Sequence, residues 1–329
     1  MLEVDYQRLA AELLRALRGK RSQRAFSRRL RYRTNISYTW ESGRSFPTAS
    51  RALWIAQRAG VDVRGALTAF LGPVPWLDEL DPTSPEAVVR LLGELRGRRT
   101  MVDIAATMGK SRFAVARYLQ GEAEPRLPDF LHLIEVCSLR LLDLLATMTD
   151  PRALPPVADS WTRLETMRRA AYQVPWSQAV LRALELVSYA ELPRHVPGWI
   201  AARVGIAQKE EERCLALLQR SGQIRQERGK YVLARSQTVD TRRDPRAARQ
   251  IKVWWSEVAV TRLRADAGGA SSYNLFTVSD ADFERLRELH RSYFQQMRAI
   301  VEQSQPCQRV VLACAQMLEL SPPLSQSAR

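Results

Sequence analysis

A helical pattern that occurs twice constrains the fold of this chain more than any other feature of its sequence. In residues 1–72, apolar side chains recur at helical spacing, starting with a leucine stripe on the opening helix. The pattern returns in residues 86–150, displaced by 78 positions, so that Glu41 corresponds to Leu119. Self-similarity of this kind predicts two copies of a four- or five-helix unit, joined by a proline-rich linker.

Residues 161–234 show a different order of elements. Three helical stretches are followed by two short strands on either side of the turn Arg228-Gly229. Helix, helix, helix and hairpin is the order found in a winged helix. We therefore predict a winged-helix-like domain as the third unit.

The last part of the chain is predicted to be a small α+β domain. Residues 235–249 are a polar, basic connector, and residues 250–320 alternate between helical and extended patterns. The two strands are expected at 273–278 and 309–318. Residues 321–329 have the composition of a disordered tail.

The charge of the chain favours a polyanionic partner. Lys and Arg number 50 and Asp and Glu 35, for a net charge of +15. A general arginine enrichment would spread this excess evenly, but residues 1–60 hold 13 cations and 4 acids while residues 61–150 hold 10 and 13. The first segment is thus the predicted electrostatic footprint for a nucleic acid. An anionic membrane surface is not expected as the partner because no helix pairs a broad apolar face with a lysine-rich one, and no apolar run approaches the length of a membrane span.

Residues of the first unit carry a recognisable pattern. A polar pair begins a helix, an apolar residue follows it, and a Trp-Glu-Ser-Gly sequence comes shortly before a proline. The residues are, in that order, Ser22, Gln23, Leu30, Trp40, Glu41, Ser42, Gly43 and Pro47. This pattern resembles the helix-turn-helix of the Cro and lambda-repressor family, including the 19-residue spacing from Ser22 to Glu41. The resemblance implies that the second helix abuts the DNA backbone and the third enters the major groove.

The resemblance also implies which side chains contact DNA. Those expected to contact bases are Arg33, Thr34, Asn35 and Thr39. Those expected to contact the backbone are Gln23, Arg28 and Arg44. Their chemistry suits these roles, since Arg recognises guanine, Asn recognises adenine, and Thr meets an acceptor or the thymine methyl group.

Two residues depart from the family pattern. Arg31 occupies the turn position where glycine is usual, and Ser37 occupies a position where an apolar core residue is expected. Either the third helix is rotated slightly or its register is shifted by one residue.

The second unit fits the same template, with two interpretations open. Its candidate DNA contacts are Ser111, Arg112, Phe113 and Arg117. However, residues 93–150 hold eight cations and eight acids. A neutral duplicate is also typical of a packing or dimerisation module, with Phe113 buried at an interface.

The winged-helix-like unit has its own candidate contacts. Arg225, Arg228 and Lys230 on the hairpin are expected near a phosphate or the minor groove, unless the wing is only structural. With the segment that follows, this unit resembles bacterial helix-turn-helix proteins that carry a C-terminal domain of unknown function. The residues of that resemblance, which spans 176–320, are Leu217, Leu218, Gly222, Ile224, Gly229, Tyr231, Val232, Ser279 and Asp282.

The sequence does not favour an enzyme. Its three histidines, His132, His195 and His290, lie in separate segments without a ligand partner three or four residues away. No glycine-rich phosphate-binding motif is present, and the four cysteines are scattered. We therefore expect no catalytic residues, no metal site and no cofactor.

These observations predict a mainly α protein with two repressor-like helix-turn-helix bundles, a winged helix and an α+β C-terminal domain. The expected function is that of a bacterial transcription regulator that binds double-stranded DNA in a sequence-specific manner. It is expected in the cytoplasm at the nucleoid, as a candidate homodimer whose C-terminal half contacts an effector or a protein partner. The alternative is a protein-interaction or antitoxin-like scaffold whose helix-turn-helix units no longer bind DNA.

Overall fold

The computed structural model describes most of the chain. The residues outside the description are Met1, Glu3, Pro73, Arg98, 235–243, Ala267 and 321–329. The predicted disordered tail and most of the predicted basic connector therefore lie outside the described residues. The described part is mainly α-helical, as the sequence predicted, and its strands form a single two-stranded sheet.

The N-terminal part consists of helices joined by short turns. They are α1 Tyr6–Arg18, α2 Gln23–Arg29, α3 Ile36–Glu41, α4 Ala49–Ala59, α5 Val63–Leu71, α6 Trp76–Glu79, α7 Pro85–Arg96, α8 Met101–Met108, α9 Arg112–Gln120, α10 Leu127–Ser138 and α11 Leu141–Met148. Helices α7 to α11 repeat α1 to α5 in order, about 78 residues later. We call α1–α5 the first repeat and α7–α11 the second repeat.

Local signals explain where the helices begin and end. The Asp5 carboxylate accepts hydrogen bonds from the backbone N–H groups of Gln7 and Arg8, which caps α1. Gly19, at φ 62°, ends α1 in a conformation that glycine adopts at little cost. In the second repeat, the Thr100 hydroxyl accepts a hydrogen bond from the N–H of Asp103 and caps α8.

The two repeats share one hydrophobic core rather than forming separate cores. Helix α1 packs on α10, and its counterpart α7 packs on α4. Helices α5 and α11 pack directly on each other. The resulting cluster of buried apolar side chains runs without interruption from Leu2 to Leu164.

The C-terminal part begins with a helix that belongs to two cores. Its elements are a short 3-10 helix Pro151–Ala153, α12 Ala158–Gln173, α13 Trp176–Ala183, α14 Val187–Ala190, α15 Trp199–Val204, α16 Gln208–Arg220, β1 Ile224–Glu227, β2 Lys230–Leu233, α17 Pro245–Arg264 and α18 Asp280–Gln303. Trp161 and Leu164 of α12 lie in the first core, whereas Val174 at its end lies in the second. The predicted domain start at residue 161 thus falls inside this helix.

The strands predicted at 273–278 and 309–318 are wrong. In the described residues after β2, no segment has the hydrogen-bonded ladder that defines a strand. The second of these segments runs beside a helix instead, with the Sγ atom of Cys314 3.9 Å from the carbonyl oxygen of Trp255. Because a helix has no free edge to pair with, an extended segment beside it stays unpaired.

Among the helices that the structure describes, none combines the length and the apolar character needed to cross a membrane.

A buried ion pair holds α12 against the second repeat. The Arg168 guanidinium donates to both Asp143 oxygens, at 2.6 and 2.8 Å. Both side chains are almost completely buried, at 6% and 9% exposure. A buried charge that loses its partner keeps the cost of its desolvation, so this pair is costly to break.

We expect Asp143→Ala to lower the free energy of unfolding by about 3–5 kcal/mol, because it leaves the Arg168 charge buried without this carboxylate. Urea denaturation followed by circular dichroism measures the change. Glu94→Ala, at an exposed position of α7, is the control and should change stability by about 0.5 kcal/mol or less. Equal stability of the two variants would contradict the assignment.

Candidate nucleic-acid interface

Helices α2 and α3 are fixed to the core by their apolar faces. Phe26 and Leu30, in and directly after α2, and Trp40 in α3 are buried, with at most 3% of each side chain exposed. Tyr32, in the turn, meets the Trp40 ring edge to face at 5.6 Å between centroids. The opposite faces of both helices remain in solvent, so their polar side chains point away from the core.

The turn keeps its glycine-like conformation without a glycine. Arg31 has φ 62°, and Gly109 at the equivalent position of the second repeat has φ 63°. An L-residue in this left-handed region costs about 1–2 kcal/mol. The departure noted in the sequence is therefore tolerated at a cost in stability rather than by a change of the turn.

In the structure, Ser37 and not Ile36 occupies the interior position of α3. Ser37 faces the interior with 2% exposure, while Ile36 is only partly buried. The Ser37 hydroxyl lies 2.9 Å from that of Ser27, and the Ser37 N–H donates to the same Ser27 oxygen. A serine pair between α2 and α3 thus replaces the expected apolar contact and satisfies the buried polar atoms.

Glu41 is the centre of a charged cluster at the end of α3. Its carboxylate accepts from the Arg18 guanidinium at 2.6 and 3.1 Å and from the Gln23 amide at 2.9 Å. Burial opposes ionisation of Glu41. The hydrogen bonds from Arg18 and Gln23 and the charges of Arg18 and Arg15 outweigh it, so the pKa of Glu41 lies below its ordinary value.

The predicted base contacts differ in their exposure. Arg33 and Thr34 lie in the turn before α3 and are exposed. Asn35 is half-buried at the helix start, with its Oδ1 atom 3.3 Å from the Ser27 hydroxyl. Thr39, one turn along α3, is also half-buried.

The predicted backbone contacts include one whose donor is already engaged. Arg28 and Arg44 are exposed, whereas the Gln23 amide donates to Glu41. Sequence reasoning missed Tyr38, which is 46% exposed on α3 and has the Arg44 guanidinium 5.4 Å from its ring centroid. An exposed aromatic next to Thr39 was the signal that could have identified it.

Exposed cations surround this helix pair, and we call them the basic face. Its members are Lys20, Arg21, Arg24, Arg28, Arg29, Arg31, Arg33 and Arg44, all of them exposed. Between residues 20 and 44 the sequence contains one acidic residue, Glu41, which is buried and paired. The face therefore presents positive charge without an exposed carboxylate to neutralise it.

The second repeat exposes a different set of side chains. The Ser111 hydroxyl caps α9 by accepting from the N–H of Ala114. Arg112 and Arg117 are exposed, and 81% of the Phe113 side chain is in solvent. Phe113 is therefore not covered by its own chain, although an aromatic on a helix is more often core.

The hairpin uses most of its charges within the molecule. Arg225 forms an ion pair with Glu227 on the same strand, and the Lys230 ammonium donates to the Ala190 carbonyl at 2.6 Å. Arg228 is exposed at the tip of the turn with φ 48°. Of the three predicted wing contacts, Arg228 is therefore the one that lies exposed at the tip of the hairpin.

A half-buried histidine beside the hairpin makes contacts within its own chain. His195 Nε2 lies 3.4 Å from Glu211 Oε1, and its Nδ1 lies 3.3 Å from the Tyr189 hydroxyl. Burial lowers the pKa of His195, against the charge of Glu211. The Glu211 carboxylate also accepts from the N–H groups of Gly198 and Ala201 at the start of α15. These contacts hold α15, α16 and the hairpin together.

The described residues contain no cluster of histidine, cysteine and acidic side chains that could hold a metal ion. Cys137 and Cys214 are buried, and burial raises the pKa of their thiols to about 11 and about 12. Thiols in this state are poor nucleophiles near neutral pH.

We expect Glu41→Gln to destabilise the protein by about 2 kcal/mol at pH 7, since it removes a charged acceptor from Arg18 and Gln23. Because the pKa of Glu41 is lowered in the folded state, its carboxylate stabilises the fold at pH values above the ordinary pKa of glutamate. This contribution is lost as the pH falls through the pKa that Glu41 has in the folded protein. The difference from wild type should therefore shrink in acid. Thermal unfolding from pH 3 to pH 7 measures it, with exposed Glu122→Gln as the control; a difference that stays constant with pH would contradict the ion-pair role.

We expect Arg31→Gly to raise the free energy of unfolding by about 0.5–1 kcal/mol. Glycine removes the cost of the left-handed conformation but adds some entropy to the unfolded chain. Chemical denaturation measures the effect. The control is Arg29→Gly, at the last residue of α2, which is expected to destabilise because it also removes the hydrogen bond from Arg29 Nε to the Arg58 carbonyl. Destabilisation by both changes would show that Arg31 is not strained.

The comparisons with known proteins concern the C-terminal half. No curated protein and no solved structure matches the chain. One family model matches part of the chain. The match begins at the first residue of α12, so both repeats lie outside it and their function has to be argued from their own geometry. The model, which is described as a domain of unknown function (DUF4423), matches residues 158–320.

Proposed function

We propose that the chain is a regulator that binds double-stranded DNA in a sequence-dependent manner through α2 and α3, as a repressor-like helix-turn-helix. The observation that carries this proposal is the basic face, with eight exposed cations and no exposed carboxylate on one helix pair. Cations in this arrangement neutralise phosphates and release condensed counterions.

The geometry around α3 supports major-groove contact. Arg33 and Thr34 precede the helix, Asn35 starts it, and Thr39 follows one turn later. In the helix-turn-helix docking mode, the N-terminal residues of the third helix meet base edges. Arg28 on α2 and Arg44 after α3 flank these residues, and we assign them to phosphates on either side of the groove.

The buried cluster at Glu41 has a supporting role in this proposal. It joins α1, α2 and α3 through Arg18 and Gln23. Because the side chains that contact bases must be held in place before binding, a charged cluster at the far end of α3 limits the rotation of that helix. We assign Gln23 to this positioning role.

We assign the C-terminal half to assembly or to sensing a signal. Helices α13, α15 and α16 with the β1–β2 hairpin have the element order of a winged helix, and the exposed Arg228 is its one wing residue that we place near DNA. The proposal is a binding function, with no catalytic step.

A protein-interaction scaffold is the second candidate, and exposed apolar side chains favour it. Phe113 in the second repeat is 81% exposed, and Tyr273 and Leu275 after α17 are 97% and 78% exposed. Tyr273 and Leu275 are two residues apart in one segment, and neighbouring exposed apolar side chains often mark interaction sites. Salt dependence separates the candidates, since DNA binding through several phosphates weakens by about 10³-fold or more between 50 and 200 mM salt.

We expect Arg33→Ala combined with Asn35→Ala to abolish sequence preference while salt-sensitive, non-specific DNA binding remains. A selection of bound duplexes from a random pool, followed by fluorescence anisotropy on the selected sequence and on a scrambled one, measures this. Arg163→Ala, exposed on α12, is the charge-matched control and should leave the preference unchanged. Full preference in the double variant would refute the contact assignment, and failure of the wild type to bind DNA would refute the function.

A further inference from the structure

We infer that one chain contains both halves of its DNA-binding surface, with α3 and α9 contacting two different half-sites of a single bipartite, non-palindromic duplex. This inference rests on the proposed function and adds the symmetry of the site. It assigns the second repeat to base contact rather than to packing.

Backbone hydrogen bonds between the repeats show a twofold relation. The N–H of Ala49 donates to the Pro125 carbonyl at 2.9 Å, and the N–H of Leu127 donates to the Pro47 carbonyl at 2.9 Å. Ala49 and Leu127 occupy equivalent positions 78 residues apart, and so do Pro47 and Pro125. Each repeat therefore donates one of these hydrogen bonds to the other repeat and accepts the equivalent one from it. This reciprocity is what a twofold axis between Thr48 and Arg126 produces, and these two residues form an isolated antiparallel bridge.

Helix packing obeys the same relation. The contact of α1 with α10 becomes the contact of α7 with α4 when the repeats are exchanged, and α5 packs on its own counterpart α11. Both contacts contribute to one continuous buried core. The repeats therefore have a fixed relative position, like the two subunits of an isologous dimer.

The turn-helix pairs of the two repeats follow the same backbone path. Gly43 and Gly121, after α3 and α9, have φ 76° and 79°. Arg31 and Gly109, in the two turns, agree to within a degree. Helix α9 therefore bears the same relation to the axis as α3, apart from an N-terminal start two residues earlier.

In the described part of the chain, the main helix contacts between the repeats are made by helices other than α3 and α9. These helices pack mainly within their own repeats, α3 on α1 and α2, and α9 on α7 and α8. The packing between the repeats is thus supplied by other helices, and Phe113 remains in solvent. This argues against a role of α9 in packing within the chain.

A twofold relation suits duplex DNA, whose two backbones are themselves related by dyads perpendicular to the helix axis. A twofold rotation leaves any direction parallel to its axis unchanged. If the exposed face of α3 points along the axis, the equivalent face of α9 therefore points to the same side of the protein. In repressor dimers, this is how two recognition helices enter successive major grooves. Here a single chain contains the equivalent pair.

The two half-sites differ because the side chains at equivalent positions differ. Thr34, Asn35 and Thr39 of the first repeat correspond to Arg112, Phe113 and Arg117 of the second. Arg and Phe select guanine and the thymine methyl group, whereas Asn selects adenine. The second half-site is therefore expected to be richer in contacts to guanine and thymine, and the whole site is not a palindrome.

The test starts from the bipartite sequence selected by the full wild-type chain. We expect Phe113→Ala/Arg117→Ala to lose preference in one half of it, by about tenfold per base pair contacted. Arg33→Ala/Asn35→Ala should lose preference in the other half only. The matched control is Arg163→Ala/Val260→Ala, at exposed positions of α12 and α17, which should retain both.

Two further measurements complete the test. Native mass spectrometry should find one chain per selected duplex, and inserting about half a helical turn between the halves should weaken binding by at least about tenfold, since the repeats cannot move apart. A selected palindrome bound by two chains, or a motif unaffected by Phe113→Ala/Arg117→Ala in a folded protein, overturns the inference while the proposed function stands. Absence of DNA binding by the wild type overturns both.

Discussion

The reciprocal packing of α1 on α10 and of α7 on α4 is the contact on which the rest of the N-terminal half depends. Each repeat exposes an apolar helix face that it cannot bury alone, and exchange between the repeats covers both faces at once. The interface buries the apolar faces of α1, α4, α7 and α10, and the short helices α3 and α9 lie mainly outside it. The division between a buried core and a polar, basic outer surface follows from that exchange.

Electrostatics then distinguishes the two copies of one backbone. The first repeat combines the basic face with a single buried acid, whereas in the second repeat Lys110 is bound to Asp129 at 3.0 Å and an exposed Phe113 stands where the first has Asn35. Duplicated folds keep their cores and change their surfaces, since surface substitutions cost little stability. The structural similarity of the repeats and the difference of their side chains are thus compatible.

Much of the local structure could be predicted from the sequence, and much of the long-range structure could not. Helix α18, for example, shows clear helical periodicity in the sequence, and Ser279 caps it by accepting from the N–H of Asp282. The use of Gln23 by Glu41 and of Lys230 by the Ala190 carbonyl depends on segments 18 and 40 residues apart. The strand predicted at 309–318 failed for the same reason, because an extended pattern does not show whether a partner strand is present.

Helix α12 connects the two halves in a way that has thermodynamic consequences. Its side chains complete the first core through Trp161 and reach the second near Val174, and Arg168 binds Asp143 across the junction. A ligand or partner that shifts this helix changes the free energy of both cores, so its binding is linked to any binding that involves the repeats. Where two binding events are linked in this way, the linkage is reciprocal: each changes the affinity of the other by the same factor.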